Sequence, residues 1–277
     1  MSRIMTLISK TLVLLVAMAL AVATVLLVVS DSDGRDRSTR ERTPADRQLG
    51  NEPARAPADL RRLVAATTAA SLPAAPADAT PQATTDGLVV RPLRVLPLYD
   101  KPAGRAFAKM PPQQFGDTWL PVIGQRSGWV RVLLPSRPNG ATGWLRESGV
   151  ELRTSPYLVR VHLGSRTLEI NYEGGSIGSW PVAVGSPDTP TPTGRTFLLG
   201  SVLDDAQSFS PIILPLGSHS DTLDTYGGGP GTVALHGWPE ASVFGSAISH
   251  GCIRVPADAL DRLTQVPLGT LVIVDNS

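Results

Sequence analysis

Cysteine is nearly absent from this chain of 277 residues: it has one, Cys252. A single cysteine cannot close an internal disulfide, and it cannot supply the paired thiolates of the common zinc patterns. Histidine is also scarce, with four, and aromatic residues make up only 5%. Net charge is small, at +1, but unevenly spread: residues 87–153 carry ten basic against four acidic side chains, and residues 154–277 carry five against eleven. Neither block has the basic run of a nucleic-acid-binding arm, so no nucleic-acid partner is expected. The opposite signs suggest that the two blocks meet different surfaces or each other. Long amphipathic helical periodicity is missing as well, which points to a mostly β fold.

What is present divides the chain into four parts. Residues 1–30 contain 19 consecutive uncharged residues, 11–29, preceded by Arg3 and Lys10. This length and composition suit a cytoplasmic tail and a single transmembrane helix. A cleaved signal peptide remains the alternative, because Ala21-Val22-Ala23 has the small residues of a cleavage site. Residues 31–86 have five Leu, Ile, Val or Phe and 19 Ala or Pro among 56 positions. Such a stretch buries too little apolar surface to offset ordering, so it is expected to be a disordered linker.

Residues 87–153 change texture, with short apolar runs at 88–90, 96–99, 119–123, 129–134 and 143–145 broken by Pro and Gly. These read as five short strands. Residues 154–277 carry longer alternating runs, at 157–163 and 167–172, one helix after Pro256 and a final strand at 269–274.

The last block also holds the chemistry. A strand-like run, Thr232-Val233-Ala234-Leu235, leads into His236-Gly237, and Ser249-His250-Gly251-Cys252-Ile253-Arg254 follows. A thiol nucleophile needs a base within hydrogen-bond reach, a partner that orients the base, and donors for the oxyanion formed on attack. Either His236 or His250 satisfies the first need on sequence grounds alone. The backbone N–H groups of Gly251 and Cys252 are candidate oxyanion donors. A zinc site from His236, His250 and Cys252 matches no strong ligand spacing, so no metal or cofactor is expected. His162 is assigned to strand packing or surface, His219 to a loop, and Asp221 and Asp224 to solvated loop positions.

These motifs resemble the L,D-transpeptidases. His236-Gly237 followed by Ser249-His250-Gly251-Cys252-Ile253-Arg254 looks like the family signature. Upstream, Val184-Gly185 through Thr191-Pro192-Thr193-Gly194-Arg195-Thr196 resembles its strand and Pro-Thr-Gly loop. The resemblance implies a β-sandwich with a short helix, in which Cys252 attacks a tetrapeptide stem of peptidoglycan between the L-centre of its diamino acid and the terminal D-Ala. The thioester would be resolved by an amine of a second stem, or by water in an L,D-carboxypeptidase. By the same carry-over His236 is the base, and Ser249, His250, Arg254, Gly237 and Trp238 border the substrate. Carbapenem-type β-lactams would acylate the thiol. Trp238-Pro239 departs from the small polar residue that many members place after His-Gly, which bears on base orientation and acceptor width. Residues 87–153, with Gly128-Trp129 and Gly143-Trp144, resemble a bacterial SH3-like β-barrel. Because peptidoglycan lies outside the cytoplasmic membrane, the linker and both domains are expected outside it. A non-catalytic wall-binding protein is the alternative from another class.

Overall fold

A β-rich chain with Pro and Gly between its apolar runs builds sheets from short strands, and the computed structural model follows that pattern; it describes residues 58–204 and 207–277. The expected membrane span and the linker as far as residue 57 lie outside the described residues. Among those described, no helix is long and apolar enough to cross a membrane.

The first group of strands is β1 (Leu88–Pro92), β2 (Leu96–Tyr99), β3 (Ala106–Met110), β4 (Leu120–Arg126), β5 (Trp129–Leu133), β6 (Thr142–Arg146) and β7 (Val150–Thr154). They form one seven-stranded sheet in the order β3-β2-β6-β5-β4-β1-β7. The sequence pattern indicates five strands and misses β3 and β7. Neither Ala-Phe-Ala-Lys-Met nor Val-Glu-Leu-Arg-Thr contains a run of large apolar residues, and their pairing with β2 and β1 is a tertiary matter.

The second group is β8 (Tyr157–His162), β9 (Thr167–Tyr172), β10 (Gly175–Pro181), β11 (Val184–Gly185), β12 (Gly194–Phe197), β13 (Ile213–His219), β14 (Thr232–Gly237), β15 (Ala247–Ser249), β16 (Ile253–Val255), α1 (Ala257–Leu263) and β17 (Leu271–Asp275). A five-stranded sheet, β10-β9-β8-β17-β12, faces a three-stranded one, β13-β14-β16. Val159, Val161, Leu168 and Ile170 from the first sheet meet Val233, Leu235, Ile253 and Val255 from the second, with α1 closing the edge through Ala259, Leu260 and Leu263.

Strand β17 explains why the two groups are not independent. Its side chains alternate between two cores: Leu271 and Ile273 pack with the residues of β1–β6, whereas Val272 and Val274 pack inside the sandwich. Phe197 and Leu199 join the first core and Leu198 the second, by the same period of two. An alternating strand buried on both faces reads as a continuous apolar run, as Leu271-Val272-Ile273-Val274 does. The oppositely charged blocks therefore meet through shared apolar packing.

The described part of the expected linker, residues 58–86, is ordered against both groups. Ala66 and Leu72 are buried in the first core. Ala65 bridges to Lys109, Ser71 to Arg137 and Ala77 to Ala141. Asp78 then pairs with Arg195, with side chains only 3% and 4% exposed, at 2.5 Å from Nε to Oδ2 and 2.7 Å from Nη2 to Oδ1. The segment has few apolar residues, but it places them in a core that other strands have already built, so it need not bury a core of its own.

One of two histidines is reassigned by the fold. His162 packs at the strand surface as expected, its Nδ1 2.9 Å from Asp275 Oδ1. His219 lies on β13 rather than in a loop and is fully buried. Its Nε2 donates to Thr68 O at 2.7 Å and lies 2.9 Å from Thr68 Oγ1, while its Nδ1 is buried with no partner among the described residues. Burial lowers its pKa, outweighing the Thr68 carbonyl, and Arg137 lowers it further. A histidine with a depressed folded pKa binds fewer protons folded than unfolded. Stability is therefore lost as the pH falls below the unfolded value of about 6.5 and on through the folded one. Urea midpoints measured from pH 7.5 down to 5 are expected to decline more steeply for the native chain than for His219→Gln, which keeps the donor to Thr68 and does not titrate. Equal slopes would remove His219 as a source of the decline.

Candidate active site

Alternation along β14 and β16 sorts the site from the core. The strands are parallel, with Leu235 opposite Ile253, His236 opposite Arg254 and Gly237 opposite Val255. Leu235, Ile253 and Val255 are fully buried on the sandwich side. His236, Cys252 and Arg254 consequently share the other face. Cys252, one residue before β16, is the diagonal neighbour of His236 across this parallel pair.

The turn before the thiol is held by side chains that the motif alone assigned elsewhere. Ser249 is 1% exposed; its hydroxyl donates to Cys252 O at 2.5 Å and accepts from Gly251 N–H at 3.1 Å. Ser249 thus shapes the turn, with its one proton spent on the Cys252 carbonyl. The same contact corrects the expectation for Gly251, whose N–H points to Ser249 and not toward a developing oxyanion. Gly251 has φ of +110°, a conformation that side-chain-bearing residues rarely adopt, which is what its glycine supplies. Thr191 braces the turn from the Pro-Thr-Gly loop, donating to Gly251 O and accepting from Gly185 N–H, both at 2.9 Å.

His236 is 7% exposed. Its Nδ1 is 2.8 Å from Gly237 O, a group that only accepts, so Nδ1 carries the proton and Nε2 the lone pair of the neutral ring. Gly237 is the orienting partner of the base and is buried; its own N–H donates to Ser210 Oγ at 2.7 Å. Burial is the largest influence on His236 and lowers its pKa; the Gly237 carbonyl opposes this, and Arg254 adds to the lowering. For Cys252 burial again dominates and raises the thiol pKa, while a hydrogen bond from the Ala234 backbone and the Arg254 guanidinium pull it down without cancelling the rise. Both shifts favour the uncharged forms, a thiol at Cys252 and a neutral imidazole at His236.

Aromatic rings wall the base. Phe209 meets the His236 ring edge to face with centroids 4.9 Å apart, and Trp238 lies 6.1 Å from His236 and 5.6 Å from Phe209. The Arg254 guanidinium sits 3.6 Å from the centroid of the Trp238 ring. Trp238 is thus neighbour to the base and platform for the arginine, and base orientation is carried by the Gly237 backbone whatever side chain follows it. His250 is exposed on the outer side of the turn, its Nδ1 3.4 Å from Tyr226 OH and its ring 5.2 Å from the Tyr226 ring. The loop carrying Tyr226 is tied to the first group of strands by Arg137, which donates to the carbonyls of Ser220, Leu223 and Pro230 at 2.9–3.1 Å. Phe209 and Ser210 had no motif to mark their places here, and Thr191 stood in the Pro-Thr-Gly stretch without an assigned role. Asp221 and Asp224 are exposed loop residues, as expected. Among the described residues no cluster of three or more His, Cys, Asp or Glu is placed to hold a metal.

Comparison with known proteins places this site in a family. The sequence profile of the YkuD family, the L,D-transpeptidase catalytic domain, matches residues 156–274. The chain is 29% identical over 123 residues to the YkuD protein of Bacillus subtilis, spanning 44% of this chain and 68% of that one. It is 31% identical over 122 residues to the YkuD protein of Bacillus licheniformis, spanning 44% and 67%. Among solved structures it is similar to L,D-transpeptidase 3 from Mycobacterium tuberculosis, with 15% identity, a TM-score of 0.38, and coverage of 57% of this chain and 94% of that one. The shared stretch runs through His236, Cys252 and Arg254, and the chain belongs to the YkuD family of L,D-transpeptidase catalytic domains.

Proposed function

We propose that the protein is a peptidoglycan L,D-transpeptidase that works through a thioester on Cys252. The carrying observation is the shared face of β14 and β16, on which the thiol lies diagonal to an imidazole whose Nδ1 is committed to Gly237 O. The Cys252 Sγ attacks the carbonyl at the L-centre of the diamino acid in a tetrapeptide stem. His236 Nε2 takes the thiol proton and passes it to the departing nitrogen as the C–N bond breaks, which releases D-Ala. The amine of a second stem then attacks the thioester; its proton passes through His236 to the sulfur, and an amide cross-link replaces the C–S bond. The Cys252 N–H remains the backbone donor for the oxyanion, the Gly251 N–H being engaged elsewhere. Tyr226 and His250 flank the entrance.

The seven-stranded group at 88–154 fits an SH3-like module whose Arg137 holds the Tyr226 loop, and the 11–29 stretch fits a membrane anchor that keeps the domains outside the cytoplasm. Intact-mass measurement of the full chain with a tetrapeptide donor should show an adduct equal to the donor less D-Ala. Addition of an amine-bearing stem should discharge it as a cross-linked dimer. Discharge only as tripeptide would make the enzyme an L,D-carboxypeptidase, and absence of an adduct with either the donor or a carbapenem would overturn the acyl-enzyme reading.

A further inference from the structure

Arg254 is an anomaly in an otherwise satisfied site. Its backbone exchanges hydrogen bonds with Ala183, at 2.8 and 2.9 Å, so the strand position is fixed. Its side chain makes no hydrogen bond or ion pair among the described residues, and its Nε is buried without a partner. The guanidinium carbon lies over the Trp238 ring, 3.6 Å from its centroid, and Glu240, Tyr226 and Cys252 are its electrostatic neighbours. Arg195, by contrast, satisfies its buried guanidinium with Asp78, Thr80 and Ala83. Buried donors are nearly always paired, and an arginine packed over an indole on the face of Cys252, with its Nε unpartnered, offers a planar fork that can take a carboxylate with two parallel bonds.

The position specifies which carboxylate. Cys252 and Arg254 are two residues apart on one face, so their Cα atoms lie about 6.5 Å apart. In a donor whose attacked carbonyl rests at Cys252, the carboxylate of the very next residue falls within the reach of the Arg254 side chain. A donor longer by one residue puts a neutral amide there and moves its carboxylate about 3.5 Å further on. We propose, on the basis of the acyl-enzyme reading above, that Arg254 on its Trp238 platform is the receptor for the free carboxylate of the leaving residue. It thereby restricts the enzyme to stems that end one residue beyond the scissile bond.

The test compares two donors on the full chain, a tetrapeptide stem ending in D-Ala and the same stem ending in D-alaninamide, by single-turnover acylation of Cys252. The native protein should acylate with the free acid roughly 10- to 100-fold faster in kcat/KM than with the amide, the range of a charge-assisted hydrogen bond. Arg254→Gln should bring that ratio close to one by slowing the acid donor far more than the amide donor; whatever the lost charge does to Cys252 and His236 falls on both donors alike and cancels in the ratio. Arg254→Lys, which keeps the charge but not the planar fork, should fall between. Arg254→Gln slowing both donors equally, or a native protein indifferent to the amide, would overturn the receptor role and leave the transpeptidase reading intact. Failure of the native protein to acylate with either donor would overturn both.

Discussion

Replacing Cys252 with alanine is expected to abolish acyl transfer, lowering turnover of a tetrapeptide donor by about a million-fold, the loss seen when the nucleophile of a cooperating catalytic pair is removed. The loss would be read as absence of both the acyl adduct and the dimer, with the unfolding midpoint close to native because the turn is held by Ser249 and Thr191. Dimer formation persisting in Cys252→Ala would end the assignment of the nucleophile. His236→Gln, which keeps a donor for the Gly237 carbonyl but accepts no proton, should cost about 100- to 10,000-fold, the contribution of a positioned base. The pH dependence separates this order of events from a preformed ion pair. Burial lowers the His236 pKa and raises that of Cys252. The acid limb of kcat/KM should therefore lie below the ordinary imidazole value of about 6.5, and alkylation of the free enzyme by iodoacetamide should climb only above the ordinary thiol value of about 8.5. Fast, flat alkylation already at pH 6 would show a resting thiolate and refute the proton transfer on attack.

Asp78→Ala is expected to destabilise the fold by about 3–5 kcal/mol, because it leaves the Arg195 guanidinium buried without its counter-charge. Arg195 would retain only the Ala83 carbonyl and the Thr80 hydroxyl, both at 3.1 Å. Urea unfolding of the full chain measures the loss, and an apolar pair, Asp78→Leu with Arg195→Met, should recover most of it, since the cost lies in the unpaired charge and not in the absence of the pair. A single variant as stable as the native chain would show that residues 58–86 do not hold the fold. Burial pushes the Asp78 carboxyl up, but hydrogen bonds from Arg195 and Thr80 and the nearby charges of Arg195 and Arg131 bring it below its usual value. Its folded pKa being depressed, its contribution is present above the unfolded carboxylate value of about 3.9 and lost as the pH falls through the folded one. The effect extends to the site: Arg195 begins where the loop that carries Thr191 ends, and Thr191 braces the carbonyl of Gly251.

Local pattern carried far at the chemistry and less far at the packing. The solitary thiol, the glycine beside it and the strand-like run that leads into His236 are properties of neighbouring residues, and they are legible without coordinates; the positive φ of Gly251 and the inward set Leu235, Ile253 and Val255 come from the fold. The turn-closing bonds of Ser249 and Gly251 are not legible in the sequence, because a hydroxyl or an amide beside Cys252 has the same sequence whether it faces outward or closes a turn. On residues alone His236 and His250 stand level and the family resemblance favours His236; that His236 shares a face with Arg254 is a matter of the register of β14 against β16, which no single strand contains.

The 58–86 segment shows the limit most clearly. Its composition determined that it could not build a core, and that remains true: only Ala66 and Leu72 enter one with full burial. Tertiary structure decided that it would not be free, by offering those two side chains a cavity among strands β1–β6 and Asp78 an arginine more than a hundred residues away. The sequence by itself likewise determined that Arg254 would stand on the face of Cys252, two residues away. Whether it would find an acid partner, or lie on Trp238 with its Nε unpaired, depended on long-range contacts, because charge is written residue by residue while its compensation is settled only where distant segments meet.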